Sequence, residues 1–267
     1  TLLLYPRESF GRSIVFERAI RVGDFLTEIE VDSIACGSHR ILFCADKPVG
    51  GKEEVFLDPN SLSDDGTVAL TGTSMSNDGR YMAYTISRSG SDWTEIYVLD
   101  TETGRLLDDH IEWAKFTDAA WWKDGFFYSA YDRPVAGKEF SNANENHRIY
   151  YHKLGTPQSS DVLAFEDKEH PLHFHTAYVP ENERSLFVFV GGQGFGEGMM
   201  VKDLTRPDAK WVVMEPSQDY SNSVVDVIGD DVYILTSADA QRNRLVKAPL
   251  SNPVRANWQN VVHEQEG

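Results

Sequence analysis

Short runs of alternating apolar and polar positions, each cut off by Gly, Pro, Asn or Asp, fill most of this chain. The pattern is clearest in FLDPNSLSDDGTVALTGTSMSNDGRYMAYTISRSGSDWTEIYVLD, from Phe56 to Asp100. Thr67 to Ser76 is a run of small and β-branched residues that reads as a strand, and Asn77-Asp78-Gly79 supplies an Asx-type turn whose glycine is free to take positive φ. Tyr81, Ala83, Thr85 and Ser87 then alternate with Met82, Tyr84 and Ile86, a period of two that predicts a strand with unlike faces. The polar loop Ser89-Gly90-Ser91-Asp92 leads to a third strand, Trp93 to Leu99. Asp100 to Gly104 turns the chain, and Arg105-Leu106-Leu107 opens a fourth. One four-stranded meander is predicted.

The same order recurs three times downstream. Ala119 to Trp122, a turn at Lys123-Asp124-Gly125, Phe126 to Tyr131, a long loop, Arg148 to Leu154 and Asp161 to Phe165 form the second copy. His175 to Val179, Ser185 to Val190, Gly198 to Lys202 and Trp211 to Met214 form the third. Ser223 to Ile228, Val232 to Thr236, Arg244 to Ala248 and Trp258 to Val262 form the fourth. Ile96, Ile149, Met200 and Leu245, on the third strands, lie 53, 51 and 45 residues apart. A repeat of that length in units of four short strands predicts an all-β fold, a β-propeller of four-stranded antiparallel blades. An irregular β-sandwich has no reason to repeat one order four times. Ser13 to Ala19, Phe25 to Val31, Arg40 to Ala45 and Glu53 to Leu57 are apolar enough for strands, although helix stays open for the first 35 residues. If residues 10 to 57 make one more blade, the chain holds about five.

Composition narrows the function. With 267 residues and 41% hydrophobic content the chain can bury a sizeable core. A formal charge of −17 argues against nucleic acid and anionic membranes as partners. No run approaches the roughly 18 to 20 apolar residues of a membrane helix, and Thr1 to Tyr5 is too short for a signal-peptide core. A soluble, cytoplasmic protein is expected, with the periplasm left open. Cys36 and Cys44 are too few for a disulfide framework and fit no zinc spacing; two buried thiols are expected, with a hairpin disulfide as the alternative.

Candidate chemistry is sparse. No G-x-S-x-G nucleophile elbow occurs, and Ser89 and Ser91 sit in a loop between predicted strands. Gly191 to Gly198 is glycine-dense but fails the G-x-G-x-x-G spacing and precedes a strand, so it reads as a blade loop and no cofactor is expected. In EHPLHFH, the spacing of His173 and His175 suits two metal ligands on one strand face. No third ligand is evident beside them, so solvated or loop roles are expected for His170, His173 and His175 and no metal site. The pairs Asp64-Asp65, Asp108-Asp109 and Asp230-Asp231 are expected at turns, accepting backbone hydrogen bonds.

Several strings carry a family resemblance. EVFLDPNSLSDDGTVAL, Ser89 to Trp93, Ala114-Lys115-Phe116, Tyr150 to Thr156 and Arg242-Asn243-Arg244-Leu245 resemble the propeller of prolyl oligopeptidase, the post-proline-cleaving serine peptidase. The resemblance runs from about Arg40 to Glu264, leaving residues 1–39 as a poorly matching segment, at most part of a first blade, and 40–267 as propeller. It implies a domain with seven blades in the family, capping an α/β-hydrolase domain and admitting short proline-containing peptides through its central channel. It further implies that Asp92, with Trp93 beside it, meets an arginine of the catalytic domain. By the same token Phe116 and Phe174 line the substrate subsite upstream of the proline. Gly194 falls near a third lining position, where glycine offers no side chain. No catalytic residue is expected in this chain. Two readings follow: the non-catalytic gating part of a prolyl oligopeptidase-like peptidase, predicted inactive alone, or a free-standing propeller that binds a peptide or protein. A five-bladed glycosidase, which needs two carboxylates at a central funnel, ranks below both.

Overall fold

The computed structural model describes residues 4–9, 13–22, 25–33, 40–44, 55–58, 61–134 and 144–264. Two compact units divide the chain, Thr1–Glu112 and Trp113–Gly267. The first opens with β1 (Leu4–Ser9), β2 (Ser13–Val22), β3 (Phe25–Ser33), β4 (Arg40–Cys44) and β5 (Val55–Leu57), an antiparallel sheet in chain order. Strands rather than helix therefore fill the described part of the first 35 residues, and β1 is a strand that the sequence pattern did not announce. Cys36 lies outside the described residues, and with it the question of its pairing.

Next come β6 (Val68–Met75), β7 (Tyr81–Arg88), β8 (Thr94–Asp100) and β9 (Leu106–Ala114), paired in that order. The turn between β6 and β7 forms as its residues dictate. Gly79 takes φ +71 and donates to the Ser76 carbonyl at 2.8 Å, while Asp78 Oδ1 accepts from Ser76 Oγ at 2.6 Å and from the Arg80 amide at 3.0 Å. β7 departs from expectation in one respect. Its faces differ in size and polarity and not in exposure, because Ala83, Thr85 and Ser87 are buried along with Met82, Tyr84 and Ile86. Ser87 satisfies its hydroxyl on the Ser91 carbonyl at 2.5 Å, as burial of a polar group requires. Leu57, Met82, Tyr84, Ile86 and Leu99 form the core of this unit.

The second unit holds three further meanders, the first of them bridged to the end of β9 where Ala114 pairs with Ala130. They are β10 (Ala120–Trp122), β11 (Gly125–Ala130), β12 (Arg148–Lys153) and β13 (Val162–Glu166); β14 (Phe174–Tyr178), β15 (Ser185–Gly191), β16 (Gly198–Asp203) and β17 (Val212–Glu215); and β18 (Asn222–Ile228), β19 (Asp231–Thr236), β20 (Arg244–Pro249) and β21 (Gln259–Val262). All pairings are antiparallel. Ile96, Ile149, Met200 and Leu245 do lie on the third strand of each of their meanders.

β15 shows how neighbouring sheets share side chains. Leu186 and Val188 pack with Phe127, Ile149 and Phe165 of the preceding sheet, whereas Phe187, one position out of phase, packs with Val224, Val232, Ile234 and Val246 of the following one. Period-two alternation thus feeds two cores from one strand. Each fully buried side chain of this kind stabilises the fold by about 1.5–3 kcal/mol.

The aspartate pairs divide. Asp65 Oδ1 accepts from the Thr67 amide and hydroxyl in a turn, as expected, and Asp230 lies in the Gly229-Asp230 loop between β18 and β19. Asp108 and Asp109 are instead inside β9, Asp109 buried, and Asp231 begins β19. Turn propensity gives way there because the flanking apolar positions draw those residues into a ladder.

Candidate functional site

Positive φ is uncommon outside glycine and is an outlier for a bulky side chain. Trp113 and Phe116 both adopt it, at φ +61 and +51. The segment is clamped against β11: the Lys115 amide donates to the Ser129 carbonyl at 3.3 Å, and the Ser129 amide donates to Thr117 Oγ1 at 2.8 Å. Conformations of this sort cost of order 1–3 kcal/mol and persist where surrounding contacts enforce them. Here they hold an aromatic ring out of the core. Phe116 is 51% exposed, with its ring centroid 5.4 Å from that of Phe174 and 6.2 Å from that of His147. Lys115 is buried, its Nζ 5.3 Å from the Phe116 ring.

Phe174 reaches Phe116 from β14. Its partner across the ladder is Gly191, and a Cβ there would strike the Phe174 ring. The missing side chain leaves room for the tip of that ring. Phe116 and Phe174, two residues that the family resemblance picked out 58 positions apart, are brought together. Gly194 has a different reason to be glycine. A Cβ at that position would collide with the Gln218 carbonyl, so close backbone approach excludes any side chain.

Beneath the aromatic pair lie two buried histidines. His147 Nδ1 accepts from the His175 amide at 2.8 Å. Its proton therefore sits on Nε2, which donates to the Lys115 carbonyl at 2.9 Å. His175 Nδ1 returns the link by donating to the His147 carbonyl at 3.0 Å. Burial pushes the His147 imidazole down to about 4; its hydrogen bond to the Lys115 carbonyl opposes this, and the nearby His175 and Lys115 side chains add to it. Burial likewise lowers His175. Both are neutral posts that tie β14 to the segment before β12 and carry Lys115 above them. Nothing in the run Asn144 to Arg148 marks His147 in the sequence, since one histidine before a strand carries no periodic or motif signal.

Of the histidines of EHPLHFH, expected in solvated or loop roles, His170 and His173 do lie in the loop before β14, whereas His175 departs from that expectation as a buried residue inside the strand. His173 and His175 are buried, and only His170 is exposed. Asp167 supplies the third metal-competent group that spacing within the motif did not reveal. A second histidine and acid pair, His152 Nδ1 to Asp161 Oδ1 at 2.8 Å, is sealed in the core with the Tyr128 hydroxyl on the other Asp161 oxygen at 2.8 Å. With His152 at 0% exposure, no substrate reaches it.

Asp92 and Trp93 lie in the first unit, on the loop between β7 and β8. Asp92 is exposed, and the Trp93 amide donates to Ser91 Oγ at 3.0 Å. Among the described residues no helix is long and apolar enough to cross a membrane.

Antiparallel four-stranded meanders, repeated along the chain and sharing cores between neighbours, are the blades of a β-propeller. The chain belongs to the family of the prolyl oligopeptidase N-terminal β-propeller domain, whose sequence profile matches residues 35–267. It is 39% identical over 219 residues to a prolyl endopeptidase of Elizabethkingia meningoseptica, covering 82% of this chain and 31% of that protein. It is 32% identical over 234 residues to prolyl oligopeptidase A of Amanita bisporigera, covering 75% of this chain and 29% of that protein. A solved structure from a study of two prolyl endopeptidases and their inter-domain dynamics superposes with a TM-score of 0.79 at 28% identity, over 92% of this chain and 35% of that one. Prolyl oligopeptidase B of Galerina marginata, bound to a 35-residue substrate, shares the fold with a TM-score of 0.77 at 22% identity, over 90% of this chain and 36% of that one. The chain thus spans about a third of the length of the relatives it matches.

Proposed function

We propose that this chain is the propeller portion of a prolyl oligopeptidase-like serine peptidase, where it controls the access of short proline-containing peptides to an α/β-hydrolase domain of the same polypeptide. The observation that carries the reading is the half-exposed Phe116 ring, held out of the core by a strained backbone and backed by Phe174. Strain kept at an exposed aromatic favours a contact role over a packing role. In this reading Phe116 and Phe174 present an apolar wall to the peptide segment upstream of the proline, and Asp92 with Trp93 faces the hydrolase domain. Gly194 leaves that part of the wall without a side chain. A cytoplasmic setting belongs to the same reading, supported by a chain with two cysteines.

The test uses the full-length peptidase and a proline-containing reporter peptide with a bulky apolar group upstream of the proline. Phe116→Ala should lower kcat/KM by about tenfold or more, the equivalent of losing most of one buried aromatic contact, with a smaller loss on a reporter lacking the upstream group. Equal losses on the two reporters, or none on either, would remove Phe116 from the substrate wall.

A further inference from the structure

Asp167, His170 and His173 lie on the turn that leads into β14, and one ligand atom from each falls within 4.8 Å of the others. The two imidazoles stack almost parallel, centroids 4.5 Å apart and 9° between planes, so that both Nδ1 atoms address one carboxylate oxygen. His170 Nδ1 is 2.9 Å from Asp167 Oδ2, and His173 Nδ1 is 3.4 Å from the same atom. His173 is only 6% exposed, yet its Nδ1 makes no hydrogen bond. An unmet nitrogen on a side chain this deeply buried calls for an explanation.

We propose that Asp167, His170 and His173 form a binding site for a divalent ion of the zinc type. Two imidazoles and one carboxylate are a donor set that suits Zn²⁺, whereas Ca²⁺ and Mg²⁺ prefer shells of oxygen. At Zn–N and Zn–O bonds of about 2.0–2.1 Å, neighbouring ligand atoms of a tetrahedral centre stand about 3.3 Å apart. The separations at Asp167 Oδ2 already bracket that value. Three protein ligands leave a fourth position for water.

The second shell makes a sharper prediction. Gln218 Oε1 accepts from the Gln193 amide at 2.7 Å, which turns its Nε2 toward His173 Nε2 at 3.2 Å. Metal on His173 Nδ1 puts the imidazole proton on Nε2, so that nitrogen changes from acceptor to donor. The Gln218 amide must then rotate, releasing Gln193 to solvent on its exposed loop. A carboxylate at position 218 would accept from both groups with no rotation, and such histidine–carboxylate pairs raise metal affinity.

Titration of the 267-residue chain with ZnCl₂ by calorimetry, in parallel with H170A and Q218E, tests the site. His170 is exposed, so its removal leaves the fold intact, as circular dichroism would verify. One zinc per chain is expected, with H170A at least tenfold weaker and Q218E about tenfold tighter than the parent, the range of outer-shell effects. Equal affinities for the parent and H170A, or a Q218E that binds no more tightly than the parent, would overturn the proposal.

Discussion

Phe116 and His147 illustrate two ways in which one residue departs from what its type predicts. Phenylalanine is ordinarily drawn inside, but Phe116 is kept half in solvent by a backbone turn that its own side chain disfavours. Histidine is ordinarily half-charged near neutrality, yet His147 is neutral because both ring nitrogens are committed and water is excluded. That commitment has a pH signature. The folded-state value is depressed to about 4, against about 6.5 in the unfolded chain. The unfolded chain therefore binds the extra proton between those values. Stability due to neutral His147 is fully present above about pH 6.5 and is lost as pH falls toward 4, by at most about 3 kcal/mol. The groups facing His147 are Lys115, Tyr131, His175 and the Phe116 ring. His147→Asn keeps an acceptor for the His175 amide in place of Nδ1, gives up the Lys115 carbonyl contact, and has no titrating proton. Urea denaturation at pH 7 and at pH 4.5 should show a smaller acid loss in that variant than in the parent chain; the same loss in both would refute the assignment. Glu95 works in a lower window. Burial opposes its charge, but hydrogen bonds from Arg88, Tyr97 and His110 prevail and hold it at about 2, so its contribution fades only as pH drops below the ordinary carboxylate range.

At the scale of elements, two hairpins with similar turn sequences use their glycines differently. Gly79 in Asn77-Asp78-Gly79 takes positive φ in open space. In Lys123-Asp124-Gly125 it is Lys123 that takes positive φ, at +51, while Gly125 lies in β11 where a Cβ would collide with the His152 carbonyl and the Tyr151 ring. Gly79→Ala should cost about 1 kcal/mol, the penalty of a left-handed conformation. Gly125→Ala should cost more, about 1–3 kcal/mol or beyond, because backbone atoms of β12 must shift. Equilibrium unfolding of the two variants gives the order directly, and a Gly125→Ala no costlier than Gly79→Ala would contradict the packing argument. The order and spacing of strands and turns were legible in the chain, although β2 and β9 run three or more residues past the expected positions. The strand β1, the Asp108-Asp109 pair inside β9 and the close approach at Gly125 were not, since each depends on a neighbour distant in sequence.

For the molecule as a whole, the functional question is where catalysis resides. The sequence has no nucleophile elbow, and the buried His152–Asp161 pair is closed to substrate. The 267-residue chain alone should therefore show no turnover of a proline-containing reporter peptide. Activity that co-purifies with it and disappears on replacing a single serine would reverse that expectation. The candidate site was legible only in part. Phe116 and Phe174 were reached through family resemblance, whereas His147 carries no local signal and acquires its role from what folds against it.

Repetition is a property of order along the chain, so four cycles of strand, turn and strand were enough to specify blades and, with the borrowed strings, a family. Alternation within a strand decides which side chains share a face, and it needs no knowledge of the partner sheet. Contact between β14 and the segment after β9 is a different matter. It sets Phe116 against Phe174, and contact of β14 with the segment before β12 closes the His147–His175 exchange. Those pairings are decided by distances across sheets, and only the tertiary structure supplies them.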